Sequence, residues 1–94
     1  MIIAVDFDGT LEISGKPNLP LIERLQAAQR GGHTVILWTC REGDSLREAL
    51  SFLLKAGFRP SLVNQNHPAA VRALGRNSRK VYADLYIDDK GTPP

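Results

Sequence analysis

The sequence contains a single cysteine, Cys40, among its 94 residues. No internal disulfide can form, which excludes a small secreted scaffold stapled by bridges. No apolar run approaches the ~20 residues that a membrane-spanning helix requires. Asp6 and Asp8 follow directly on five apolar residues at the start, a pattern that no signal peptide shows. Neither sign of charge dominates, since twelve Lys+Arg against ten Asp+Glu leave a net +2. The pI near 9.0 therefore rests on too small a surplus to argue for a nucleic-acid partner. Aromatics make up only 6% of the chain, charged residues 23% and apolar residues in all 43%. That balance excludes a disordered tail, a collagen-like fibre and a coiled coil. What remains is one domain spanning residues 1–94, expected to be soluble and cytoplasmic. A chain this short buries only roughly 60–65% of its unfolded surface.

The hydrophobic pattern predicts alternating strands and helices. Residues 1–5 are apolar on both alternate sets, as in a strand buried on both faces. The turn-rich stretch 11–18 reads as a loop. A helix is expected from Leu19, with Pro20 in its first turn, up to Gly31 and Gly32. A second β-rich run covers 33–38. Asp44 is then the expected N-cap of a helix through Lys55, with Leu46, Leu50, Leu53 and Leu54 inward. A short strand over 61–64, a helix over 69–74 opened by Pro68, and a last strand over 81–87 follow. The tail 91–94 (Gly-Thr-Pro-Pro) cannot continue regular structure. Such alternation describes an α/β fold with a parallel sheet and right-handed crossovers.

Polar clusters fall just past the carboxyl ends of these strands: Asp6 and Asp8, Thr39, and Asp88 with Asp89. In open α/β sheets that edge is where ligands bind. Carboxylates gathered there raise one another's pKa unless a cation neutralises them. Mg²⁺, which takes carboxylates, waters and substrate phosphate, suits the set. One carboxylate can attack phosphorus, and a second, two residues on, can protonate the leaving group and then activate water. The Thr39 hydroxyl and a lysine such as Lys80 would stabilise the phosphate oxygens. Gly9 would let backbone N–H groups face them.

Asp6-Phe7-Asp8-Gly9-Thr10 after a hydrophobic strand resembles the first motif of the haloacid dehalogenase (HAD) superfamily. Leu37-Trp38-Thr39 resembles its second motif, and Ile87-Asp88-Asp89 its acidic fourth motif, in the superfamily's order. The resemblance implies a Rossmann-like, HAD-like three-layer sandwich with strand order 3-2-1-4. It implies a Mg²⁺-dependent phosphomonoesterase with Asp6 as nucleophile and Asp8 as general acid/base. Asp6, Asp8, Asp88 and Asp89 would hold the metal. Thr39 and Lys80 would bind the phosphoryl group, with Gly9, Thr10 and Cys40 around it. Because Asp8 is present, the resemblance points to the phosphatase branch.

The superfamily's lysine is open between Lys80 and Lys90. A seven-residue last strand would be ~23 Å long and carry Lys80 to the far end from Asp88, unless that strand starts near Asp84. The gaps after Thr10 and after the third strand are too short for a cap domain. An open site suits a phosphorylated small molecule or an accessible macromolecular phosphoester, or else a neighbouring copy of the chain closes it. Other polar residues have plainer readings. Cys40 is expected to be a packed thiol, His67 a helix-entry residue, and Arg72, Arg76, Arg79 and Lys80 a solvated face. Arg41 and Glu42 either touch substrate or form a surface ion pair. Asp84 is expected to meet solvent or an arginine. Two rival functions remain. One is a non-catalytic or receiver-like domain that binds Mg²⁺ and phosphate, although Asn64 stands where a receiver's acceptor aspartate would be. The other is a structural subunit.

Overall fold

The computed structural model describes residues 1–74 and 81–88. It shows a small α/β domain with a four-stranded parallel sheet. In chain order the elements are β1 (Ile2–Val5), β2 (Glu12–Ile13), β3 (Lys16–Pro17), α1 (Leu19–Arg30), β4 (Thr34–Leu37), α2 (Gly43–Lys55), β5 (Leu62–Val63), α3 (Pro68–Leu74) and β6 (Leu85–Ile87). The sheet runs β5-β4-β1-β6. Among the described residues no helix is long and apolar enough to cross a membrane.

β1 and β4 lie at the centre, and their two alternate sets of side chains face different cores. Ile3, Val5, Val35 and Leu37 pack with Ile22 and Leu25 of α1, Ala49 and Leu53 of α2, and Phe7, Leu11 and Phe58. Ala4 and Ile36 face the other way, against Val81 and Ala83, with Ile2, Trp38 and Leu62 at the margin. The period of two in a strand explains this division. Val81 and Ala83, which precede β6, pack onto this second core.

Several predicted boundaries move. The stretch 11–18 is not a plain loop, because β2 and β3 pair as an antiparallel hairpin. Its two-residue turn, Ser14 and Gly15, has φ of 52° and 80°, the left-handed pair that matches strand twist. Asn18 ties down the base, donating from Nδ2 to Thr10 O at 2.9 Å and from its backbone N–H to Leu11 O at 2.8 Å. Asp44 is not the cap of α2. The N-cap is Glu42, without a side-chain cap bond, and Asp44 sits in the first turn. There it favours the helix dipole and pairs with Arg47. Leu54 is 58% exposed; the buried stripe is Ala49 and Leu53, one helical turn apart, and Leu54 lies off it.

The last strand is also shorter than 81–87. The Tyr86 hydroxyl donates to Val81 O and accepts from the Ala83 N–H, both at 3.0 Å. Asn66 Oδ1 accepts from the Tyr82 N–H at 2.7 Å. These bonds occupy the Val81 carbonyl and the Tyr82 and Ala83 N–H groups; the first backbone bond to β1 is from the Asp84 N–H to Ile2 O at 2.8 Å, and paired residues begin at Leu85. Asp84, expected to meet solvent or an arginine, instead accepts from the Ile2 N–H at 2.6 Å. That contact brings the chain alongside β1.

Candidate functional site

Register sets the site. Val5 of β1 is opposite both Leu37 of β4 and Ile87 of β6. Asp6 and Asp88 are therefore the next residues out on adjacent parallel strands, which lie ~4.8 Å apart. The Asp6 N–H donates to Ile87 O at 3.0 Å, and the Trp38 N–H to Val5 O at 2.9 Å. Asp6, Thr39, Cys40 and Asp88 line one open cleft of about 270 Å³, floored by Ala4 and Val5 and walled by Trp38, Val81 and Tyr86. Asp6 and Asp88, more than eighty positions apart, meet there because one follows β1 and the other follows β6, which pairs with β1.

Asp6 and Thr39 are locally positioned. Asp6 Oδ1 accepts from the Phe7 N–H at 2.7 Å, which fixes its carboxylate plane. Phe7 O accepts three N–H groups, from Thr10, Leu11 and Glu12. That tight turn passes through Gly9 at φ 75°, a conformation glycine adopts without strain. Thr39 is held by two bonds: its N–H donates to Asn64 Oδ1 at 2.8 Å, and its Oγ1 accepts from the Arg41 N–H at 3.1 Å. Asn64 itself sits at φ 50° just after β5, and its N–H donates to Leu37 O at 2.8 Å. Motif spacing does not single out Asn64. The available signal is its type, since asparagine tolerates left-handed backbone better than most residues.

Asp8 is not among the cleft-lining residues. Its carboxylate is gripped by Arg41, with Nε to Oδ2 at 3.0 Å and Nη2 to Oδ1 at 2.8 Å. The guanidinium hydrogen bonds and charge of Arg41 hold the Asp8 carboxyl below its usual range, and Asp8 in turn pushes the Arg41 guanidinium up. Of the two alternatives for Arg41, the ion pair is the one formed. Arg41 also lies 4.8 Å over the Phe7 ring, a cation–π contact, and Phe7 meets Phe52 edge-to-face at 5.5 Å.

Other candidates fall elsewhere. Thr10 does not reach the cleft, because its side chain is 4% exposed and its hydroxyl is buried without a hydrogen-bond partner. The turn back from Phe7 directs Thr10 into the interior, which corrects its assignment as a phosphate contact. Cys40 is an exposed thiol, not a packed one. His67 serves at a helix entry, its Nδ1 accepting from the Ala69 N–H at 3.0 Å. Lys80, Asp89, Lys90, Arg76 and Arg79 lie outside the described residues. Among the described residues no three His, Cys, Asp or Glu side chains form a metal-binding group. The donor chemistry still fits a hard divalent ion, because Asp6 and Asp88 bring carboxylate oxygens from adjacent strand ends into one cleft.

No protein-family model matches the chain, and no curated protein sequence matches it. A solved structure is similar, that of a conserved protein coded by a locus of Bacteroides thetaiotaomicron. The two are 36% identical with a TM-score of 0.80, over 100% of this chain and 82% of the other. The chain belongs to the same family as this Bacteroides thetaiotaomicron protein.

Proposed function

We propose that the protein is a capless phosphatase of the HAD superfamily that hydrolyses phosphomonoesters with Mg²⁺ through an aspartyl-phosphate on Asp6. The observation that carries this reading is the convergence of Asp6, Thr39 and Asp88 on one cleft at the carboxyl ends of β1, β4 and β6. The superfamily's order of motifs supports it. Asp6, Asp88, the Asp8 carbonyl and Asp89 are the proposed Mg²⁺ ligands, and the bound ion would offset the charge of the phosphate and carboxylates.

An Asp6 carboxylate oxygen attacks phosphorus and the ester P–O bond breaks, with Asp8 giving its proton to the departing oxygen. Water then attacks the aspartyl-phosphate, its proton passes to Asp8, and inorganic phosphate leaves. The Thr39 oxygen already accepts from the Arg41 N–H, so its own O–H is directed to donate, here to a phosphoryl oxygen. Lys80 precedes Val81, which lines the cleft, and is the proposed cation for the phosphoryl group.

The test is Asp6→Asn assayed on p-nitrophenyl phosphate with millimolar Mg²⁺. Hydrolysis should vanish while the thermal unfolding midpoint stays within a few degrees of the wild-type value. Wild-type turnover by the variant would end the proposal. A stable stoichiometric phosphoprotein that releases no phosphate would mark a receiver-like acceptor in its place.

A further inference from the structure

We propose that Asn64 and Asn66 form a clamp that positions Thr39 for the phosphoryl group, an inference that rests on the phosphatase reading above. Asn64 Oδ1 accepts from the Thr39 N–H at 2.8 Å, and Asn66 Oδ1 accepts from the Tyr82 N–H at 2.7 Å. Thr39 lines the cleft from beyond the end of β4, and Val81, beside Tyr82, lines it from the segment that precedes β6. β4 and β6 each pair with β1 and not with each other, so no ladder bond joins these two parts of the cleft. The segment 64–66 does.

A hydrogen bond made at the surface orders its partner only where the acceptor is itself fixed. Asn64 is exposed, but its N–H donates to Leu37 O at 2.8 Å, and it follows directly on Val63, which is opposite Leu37 in the sheet. Its φ of 50° turns the chain out of the strand. Two residues on, Asn66 is only 4% exposed. A polar side chain so deeply buried is costly to leave unpaired, and its bond to Tyr82 anchors the far end of the segment. Tyr82 is fixed in turn, because the Tyr86 hydroxyl bonds to Val81 O and to the Ala83 N–H on either side of it. The acceptor for Thr39 is therefore held from both ends. At Thr39 the N–H is taken by Asn64, and one Oγ1 lone pair by the Arg41 N–H. Backbone and hydroxyl oxygen are fixed together, which leaves the O–H hydrogen for a phosphoryl oxygen.

Action through Thr39 gives a signature that a merely structural role lacks. Inorganic phosphate is titrated with millimolar Mg²⁺ and its binding followed by ³¹P line width, while kcat and KM are measured on p-nitrophenyl phosphate. Asn64→Gly keeps the left-handed backbone available and should raise the phosphate Kd, and lower kcat/KM, by about fivefold, the equivalent of one hydrogen bond. In a Thr39→Val background the same substitution should change either quantity by less than about twofold, because the hydroxyl that it aims is gone. Asn66→Ala should speed amide exchange at both Tyr82 and Thr39, whereas Asn64→Gly should speed it at Thr39 alone. The cycle between Asn64 and Thr39 decides the inference even where Asn66→Ala does not fold.

Equal fold-changes in the two backgrounds, or Thr39 exchange that a folded Asn66→Ala leaves unchanged, overturn the clamp, and wild-type hydrolysis then keeps the phosphatase reading intact. A wild-type protein that binds phosphate but hydrolyses nothing ends the phosphatase reading, and the cycle on Kd still judges the clamp. A wild-type protein that does neither overturns both.

Discussion

The two faces of the sheet are built differently. The face under α1 and α2 is deep, with Phe7, Leu11, Ile22, Leu37, Leu53 and Phe58 almost wholly buried. Among the described residues the core on the opposite face is smaller, with Ala4, Ile36, Val81 and Ala83 at its centre. The cleft holding Asp6, Thr39 and Asp88 opens on that face, floored by Ala4 and walled by Val81. Small side chains there leave space that large ones fill on the other side. The deep face carries most of the buried apolar surface and hence most of the stability, and the opposite face leaves room for a ligand.

Truncation on the deep face should have the largest effect. Leu53→Ala, at a position with 0% exposure, should lower the unfolding free energy by about 2–5 kcal/mol, since a cavity is left in a packed region. Val81→Ala should cost about 1–1.5 kcal/mol, because its site adjoins open space and no sealed cavity forms. Urea denaturation of both variants decides the matter. Equal losses would show that the opposite face is as tightly packed as the deep one.

Enlargement tests the same contrast from the other side. Ala49→Leu inserts three carbons between α2 and the sheet and should cost about 1–3 kcal/mol through overpacking. Ala4→Leu should cost less than Ala49→Leu, since the cleft receives the side chain. It should nonetheless weaken inorganic phosphate as an inhibitor of p-nitrophenyl phosphate hydrolysis. A larger stability loss for Ala4→Leu would contradict the assignment of free volume to the cleft side.

The sheet was legible because its evidence is local. Residues 1–5 are apolar on both alternate sets, 33–38 form a second β-rich run, and both end in polar residues; that pattern locates both central strands and the edge where Asp6 and Thr39 stand. What was not legible depends on contacts across the chain. Val81, Tyr82 and Ala83 have strand-like side chains, yet the Tyr86 hydroxyl and Asn66 Oδ1 claim the Val81 carbonyl and the N–H groups of Tyr82 and Ala83, and satisfied groups do not seek a ladder. The grip of Arg41 on Asp8 joins residues 33 apart and has no sequence signal beyond opposite charge. Thr10 follows the motif glycine as a phosphate contact would, but three N–H bonds to Phe7 O wind the turn so that its side chain points inward.

Asn64 tests how the cleft edge is held, with a smaller effect on stability. Asn64→Gly keeps the left-handed backbone available but removes the acceptor for the Thr39 N–H. The cost should be about 0.5–1.5 kcal/mol, with a greater loss of phosphate inhibition than of stability. Asn64→Ala adds backbone strain to the same loss and should be the less stable of the two. If glycine and the wild type bind phosphate equally, Thr39 is positioned without Asn64.

The smallest expected effect belongs to the Asp8–Arg41 pair, and its pH dependence separates it from packing. Arg41 lowers the carboxyl pKa of Asp8 in the folded protein, so folding favours the ionised form. The pair's contribution is therefore fully present above the unfolded-state value of about 4. It fades as pH falls through the lower folded-state value. Arg41→Ala also loses the contact with Phe7, but that loss is the same at every pH. The stability gap between wild type and Arg41→Ala should thus be widest near neutrality and narrow below about pH 4. Asp8 is 55% exposed, so solvent screening keeps the pH-dependent part under about 1 kcal/mol, and added salt should shrink it further. Urea denaturation of both proteins between neutral pH and acid measures it. A gap that does not change with pH would mean that Arg41 acts on stability only through the Phe7 ring, on the deep face of the sheet.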